Sequence, residues 1–323
     1  MAKAMEWAFA KTPIVPLHLL GNQYYMKRDD LLPFSLGGNK VRIAAAFLAD
    51  MNAKGANCLI MYGNSRSNLC RVLANACYRE GVPTMMVCSD DPDGTHAETA
   101  NSRLVGLFGT EIIYCAKNAI APAVDEAFHR ARSRGLVPYY IYGNRLGEGN
   151  EGVAARAYAQ AYSEICRQEE ELGVFFDYIF HASGTGATQS GLVAGHLRAG
   201  DGRKIVGISV SRDKERGSRI LADGVRAWFQ DAHLPLPEGF EREICLEDAY
   251  LAGGYGQYDA GICQTIREAF LMEGIPLDPT YTGKAFAGMR AYIEEHGIEG
   301  KNILFLHTGG TPLFYDFLAN GGI

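Results

Sequence analysis

Lys40 ends the run Ser35-Leu36-Gly37-Gly38-Asn39-Lys40 and leads into an apolar stretch of helical composition, Val41-Arg42-Ile43-Ala44-Ala45-Ala46-Phe47-Leu48. Two glycines let a backbone turn tightly beside a ligand. An ammonium at the positive end of a helix, partly desolvated, is pushed toward the neutral amine that attacks aldehydes. Read alone, a lysine after a glycine turn is a solvated helix start. Its chemistry depends on what the rest of the chain brings to it.

Three glycine-containing loops have the composition to hold an anion. The first is Ser183-Gly184-Thr185-Gly186-Ala187-Thr188-Gln189-Ser190-Gly191, set between an apolar run ending at Ala182 and a helical one beginning at Leu192. Strand, loop and helix in that order direct backbone N–H groups, hydroxyls and a helix dipole at an anion. The spacing is G-x-G-x-x-x-x-G, not the dinucleotide G-x-G-x-x-G, and the G-K-[ST] of a P-loop is missing, so a compact phosphate is favoured over a pyrophosphate. The second, Gly63-Asn64-Ser65-Arg66-Ser67-Asn68, opens an amphipathic helix and suits a carboxylate, although an ordinary helix cap uses the same residues. The third is Thr308-Gly309-Gly310-Thr311-Pro312. All three follow predicted strands, where open α/β sheets bind their ligands.

The elements that must carry these loops read as an α/β chain, in which short apolar runs alternate with helical stretches. The predicted strands run from Cys58 to Tyr62, Pro83 to Cys88, Glu111 to Cys115, Pro138 to Tyr142, Tyr178 to Ala182, Ile205 to Val210 and Ile303 to His307. Leu69, Val72, Leu73, Ala76 and Cys77 mark one face of a helix from Ser67 to Arg79, with Ser67 placed to cap it. Further helices are predicted from Glu151 to Leu172 and from Gly283 to His296. The turn-rich Gly143 to Asn150 is the candidate hinge. The simplest division is a smaller unit over 50–148 inserted into a larger one formed by 1–49 and 149–323.

Composition narrows the function classes. With 323 residues, 47% apolar and 21% charged, the chain has enough material for well-developed cores. A net charge of -6, without a basic block interleaved with aromatics, argues against nucleic acid as a partner. No run is long and apolar enough to span a membrane, and the start Met1-Ala2-Lys3-Ala4-Met5-Glu6-Trp7 has no signal-like apolar region. Eight cysteines without a Cys-x-x-Cys pair, several in apolar runs, read as free thiols in a cytoplasmic protein. The histidines show no metal spacing, so no metal site is expected.

Taken in order, the Gly-Gly-Asn-Lys lysine, the Ser67-Asn68 helix start, the Ser/Thr/Gly loop and the late Thr308-Gly309-Gly310 resemble the fold-type II pyridoxal-phosphate enzymes, the tryptophan synthase β superfamily. Lys27-Arg28-Asp29-Asp30, Gly253-Gly254-Tyr255-Gly256 and Leu277 to Lys284 extend the likeness across nearly the whole chain. Within the superfamily the chain looks most like the D-cysteine desulfhydrase and 1-aminocyclopropane-1-carboxylate deaminase branch.

The resemblance implies two open, twisted, mostly parallel sheets flanked by helices, pyridoxal 5'-phosphate as cofactor, a small amino-acid substrate and a homodimer. It implies that Lys40 carries the cofactor as a Schiff base and moves protons at the substrate α-carbon. Ser183, Gly184, Thr185, Gly186, Ala187 and Thr188 would hold the phosphate, Asn68 the ring hydroxyl, and Thr282 and Thr308 other parts of the cofactor. Asn64, Ser67, Asn68, Leu69 and Thr311 would face the substrate, with Ser67 at its carboxylate. Tyr255 and Tyr281 would be active-site phenols that orient substrate or assist proton transfer.

Two positions choose within the branch. The cyclopropane deaminases resemble Tyr-Glu-Gly-Lys and Thr-Gly-Gly-Leu, where this chain has Tyr281-Thr282-Gly283-Lys284 and Thr308-Gly309-Gly310-Thr311. A carboxylate keeps the pyridine nitrogen protonated and the ring a strong electron sink. A hydroxyl leaves a weaker sink, sufficient for α,β-elimination of a good leaving group to a 2-oxo acid and ammonia. Arg66 and Leu69 depart from the branch's Gln-Ser-Asn-His, and Arg66 is a candidate partner for an acidic leaving group such as a sulfonate. Two other readings stay open: an NADP-dependent oxidoreductase using Ser211-Arg212 for the 2′-phosphate, and a binding protein that kept the fold.

Overall fold

A computed structural model describes residues 11–322; the N-terminal segment read above for a signal lies outside the described residues. The strands are β1 (Ile14–Pro16), β2 (Gln23–Arg28), β3 (Cys58–Gly63), β4 (Thr84–Ser89), β5 (Glu111–Cys115), β6 (Pro138–Tyr140), β7 (Tyr178–Ser183), β8 (Lys204–Ser209), β9 (Cys245–Glu247) and β10 (Asn302–His307). The helices are α1 (Asn39–Ala53), α2 (Asn68–Glu80), α3 (Ala100–Leu107), α4 (Ile120–Ser133), α5 (Glu151–Leu172), α6 (Ala187–Ala199), α7 (Lys214–Asp231), α8 (Ala260–Glu273), α9 (Thr282–Glu295) and α10 (Thr311–Ala319).

The strands form two sheets. The larger has the order β1-β2-β10-β7-β8-β9 and the smaller β5-β4-β3-β6. Every pairing is parallel except β1 with β2. Helices on both faces explain why Cys58 to Met61 of β3 and Ile179 to His181 of β7 are buried without alternation.

α5 packs against α1, α6 and α7, and small residues on its neighbours set how close they come. A Cβ on Gly191 of α6 would lie 2.3 Å from the Ala155 carbonyl oxygen, and one on Gly195 would lie 2.5 Å from Tyr162 Cβ. These contacts fix the direction of α6, and with it the loop that precedes the helix. Along β7, Ile179 joins the core on the α5 side while Phe180 packs on the α9 side against Tyr292.

Most predicted elements agree with the structure to within a residue or two. Pro138 to Tyr142 is shorter than expected because the Gly143 N–H turns back to the Tyr140 carbonyl. The candidate hinge closes on itself as a compact turn, with Asn144 Oδ1 accepting from the N–H groups of Leu146 and Glu148.

Candidate active site

The carboxyl ends of β3, β4, β7 and β10 open on one cavity of about 410 Å³ between the two sheets. Lys40, the second residue of α1, lines it. The turn before it depends on both glycines: a Cβ on Gly37 would meet the Asp30 carbonyl oxygen at 1.9 Å, and one on Gly38 would meet that of Thr308 at 2.9 Å. With φ of +68° and +95°, these positions also disfavour any other residue. Burial lowers the Lys40 pKa to about 8, and no ion pair counters that shift among the described residues.

A second lysine is depressed to about 8 for the same reason, Lys284. Its Nζ donates to the carbonyls of Leu251 and Gly254 at 2.7 and 2.6 Å, and it does not line the cavity. Lys40 alone of the two presents its amine to a ligand.

The phosphate-type loop lies across the cavity. Ser183, Gly184, Thr185, Gly186 and Thr188 line it, whereas Ala187 forms the first turn of α6 without reaching it. The α6 ladder starts with Ser190 N–H to the Gly186 carbonyl, which leaves the N–H groups of Ala187 to Gln189 without intrahelical acceptors. The first turn contains no acidic residue.

Asn64, Ser67, Asn68 and Leu69 line the wall from the smaller sheet. Ser67 Oγ caps α2 by accepting the Cys70 N–H at 3.2 Å, so its own proton stays available to an anion. Gly63 lets α2 approach β3 this closely, since a Cβ there would lie 2.7 Å from Ser67 Cβ. Opposite, Tyr255 and Tyr281 join their hydroxyls at 2.5 Å, and Tyr255 also donates to Asn64 Oδ1 at 3.4 Å. Burial pushes both phenols above their ordinary value, Tyr281 far above it. They are protonated at neutral pH and act as donors.

Thr308 lines the cavity, but Thr282 and Thr311 do not. Thr282 is wholly buried, and its hydroxyl donates to Asp278 Oδ1 at 2.8 Å while accepting the Asp278 N–H at 2.9 Å. A threonine engaged in this way has no proton left for a ring nitrogen. Thr311 is the first residue of α10. Arg66 is not in the cavity wall: partly exposed, it forms a 2.8 Å ion pair with the buried Asp91.

Several lining residues escaped the sequence reading: Asn39, Tyr62, Ser89, Lys117, Tyr142, Gln189 and Arg216. Tyr62 and Ser89 sit at strand ends, a signal that was available. Lys117 and Arg216 come from segments whose sequence gives no hint of the cavity. Arg212, assigned above to a nucleotide 2′-phosphate, instead donates to the Gly184 carbonyl beside the phosphate-type loop.

The chain matches the family of pyridoxal-phosphate dependent enzymes over residues 7–309. It belongs to that family. The enzyme is 33% identical over 307 residues to the D-cysteine desulfhydrase of Klebsiella pneumoniae, covering 92% of this chain and 90% of the relative. It is 32% identical over 299 residues to a probable 1-aminocyclopropane-1-carboxylate deaminase of Cryptococcus neoformans, with 89% and 85% covered. A crystal structure of an ACC deaminase homologue superposes with a TM-score of 0.83 at 30% identity, covering 96% of this chain and 93% of that one. The fold is the fold-type II arrangement, and the cofactor is pyridoxal phosphate. The dinucleotide reading is overturned.

The residues present fit that cofactor. An aldehyde needs an amine close to its neutral form, and Lys40 supplies one. A phosphate needs N–H donors without a competing carboxylate, and the start of α6 supplies them. A ring oxygen needs a donor, and the Asn68 amide nitrogen has no protein partner among the described residues.

Proposed function

We propose that the enzyme is a lyase of the D-cysteine desulfhydrase type, eliminating a β-substituent from a small amino acid to give a 2-oxo acid and ammonia. The observation that carries this reading is the engagement of Thr282 with Asp278, which leaves no acidic group or free hydroxyl proton facing the cavity at that position. The bound cofactor supplies an electron sink for the electron pair left at the substrate α-carbon. Without a protonated ring nitrogen that sink is modest, which suits a substrate with an acidic α-proton and a good leaving group better than a cyclopropane.

The protein side of the reaction follows from the cavity. Lys40 would hold the cofactor through Nζ, and its amine is the base placed to take the α-proton of a substrate in the cavity. Its lowered pKa makes the neutral amine accessible near pH 8. Ser67 and the N–H groups at the start of α2 hold the substrate carboxylate. The Tyr255–Tyr281 pair, kept protonated by burial, orients the β-substituent and donates a proton to it as it leaves. The free N–H groups at the start of α6 would hold the cofactor phosphate.

We place the enzyme in the cytoplasm as a homodimer, with residues 50–148 forming the smaller unit. Eight free cysteines support a reducing compartment. No helix among the described residues is long and apolar enough to cross a membrane. Exposed Leu271 and Met272 at the end of α8 and Tyr315 on α10 offer apolar surface to a second copy.

The test of function is 2-oxo acid release from a panel of D- and L-amino acids and 1-aminocyclopropane-1-carboxylate. Release from D-cysteine or its β-chloro analogue, with none from the cyclopropane, supports the reading. Turnover of the cyclopropane alone contradicts it.

A further inference from the structure

Arg71 is a buried cation with no negative group beside it among the described residues. It lies on α2, is 1% exposed, and among the described residues forms no ion pair. Its Nη1 donates to Ser35 Oγ at 3.1 Å and its Nη2 to Asn68 Oδ1 at 3.4 Å. Among the described residues its Nε has no hydrogen-bond partner. Burying an uncompensated guanidinium is costly, and desolvation alone pulls its pKa down to about 10. An anion arriving nearby relieves that cost.

The partners of Arg71 tie it to the Lys40 turn and to the cavity wall. Ser35 lies in the left-handed turn that leads to Lys40, with φ of 46°. Asn68 lines the cavity wall. A guanidinium has only donors, so the Asn68 atom it meets has to be the amide oxygen. Asn101 Nδ2 donates to the same oxygen at 3.0 Å while also donating to the Arg66 carbonyl at 3.1 Å. Two donors thus fix one end of the Asn68 amide, and its Nδ2 is left as a donor without a protein acceptor among the described residues.

We propose that Arg71 is a positioning residue for the cofactor's ring oxygen: it locks the Asn68 amide as a donor into the cavity and supplies a buried positive charge that the ionised oxygen neutralises. This rests on the pyridoxal-phosphate reading of the site. A positive charge near that oxygen favours its ionised form. It also disfavours a proton on the nitrogen that joins Lys40 to the cofactor, so that nitrogen loses its proton at a lower pH.

The experiment is a pH titration of the visible absorbance of the holoenzyme, with cofactor affinity measured by returning pyridoxal phosphate to the apoenzyme. Arg71→Met is expected to raise the absorbance midpoint by about one pH unit and to weaken cofactor binding about tenfold. Arg71→Lys keeps the charge but cannot span both oxygens, so its midpoint rises by less. Asn68→Ala shifts the midpoint in the same direction, and adding it to Arg71→Met brings little further shift. A folded Arg71→Met protein with the parent's midpoint and affinity overturns the proposal. If that variant does not fold, an unshifted midpoint in Arg71→Lys overturns it instead. A parent protein that binds no pyridoxal phosphate overturns the reading of the site itself, a separate outcome.

Discussion

The Asn39 side-chain amide donates to Thr188 Oγ1 at 2.9 Å, joining the first residue of the helix that carries Lys40 to the first turn of the phosphate-side helix. The Asn39 backbone N–H meets the Thr308 carbonyl at 3.0 Å, so the Lys40 turn, the α6 loop and the β10 loop meet at one residue. Asn39→Ala is expected to cost about 1–3 kcal/mol of stability, because the Thr188 hydroxyl loses a buried partner. Since Lys40 is the next residue, turnover should fall by about tenfold or more as its Nζ loses alignment. Thermal melts and steady-state kinetics check both.

Lys40 gives the site a pH dependence. Its pKa is lowered to about 8 by burial, and the neutral amine is the form that bonds to the cofactor aldehyde. The rate at which pyridoxal phosphate joins the apoenzyme should therefore climb as pH rises to about 8 and level off above it. A lysine at its ordinary value would keep climbing to about 10.4. Stopped-flow absorbance across pH 6 to 10 reads the difference.

Ser67 has two roles that mutation separates. Ser67→Ala removes the α2 cap, worth about 0.5–2 kcal/mol. It also removes the hydroxyl proposed to hold the substrate carboxylate. Turnover per unit substrate should fall further than cofactor affinity does, a split that a purely structural cap would not produce. Substrate kinetics beside cofactor titration of the same variant show which role dominates.

A buried charge network sets the stability of the helix that carries Lys40. Arg42 pairs with Asp29 at 3.0 Å and Glu164 at 2.9 Å, and Lys27 meets Glu164 at 2.6 Å. Burial alone would raise both carboxyl pKa values, but the Arg42 charge and hydrogen bonds outweigh it and hold them below their usual values. Groups with depressed folded pKa values stabilise above their unfolded values near 4 and lose that contribution as pH falls further. Arg42→Met should cost about 3–5 kcal/mol at neutral pH by leaving the buried Asp29 without an ion-pair partner and Glu164 with Lys27 alone. Its melting temperature should also depend less on pH below about 5 than the parent's does.

The sequence carried the order of the loops and the class of the fold because each rests on local chemistry. Ser183 to Thr188 between an apolar run and a helix, and two glycines before Lys40, are short-range signals. β2 does not read as a strand because Lys27 is a charged residue within it, and its burial is made tolerable by Glu164 and Gln168, far along the chain, together with the Thr12 carbonyl. Thr282 was read as a hydroxyl facing the ring. Its bonds to Asp278 arise from the turn before α9, which no spacing rule displays. Arg71 sits on a helix whose apolar face was legible, yet the charge is buried with it, a fact that only packing against the Ser35 loop reveals.

Lys40, and not the equally depressed Lys284, is expected to be the lysine that holds the cofactor. Borohydride reduction of the pyridoxal-phosphate-loaded protein, followed by proteolysis and mass analysis, tests it directly. A phosphopyridoxyl adduct is expected on the peptide containing Lys40, with Lys40→Ala losing both the adduct and the visible band. An adduct on Lys284 or Lys117, or a band that survives in Lys40→Ala, contradicts it.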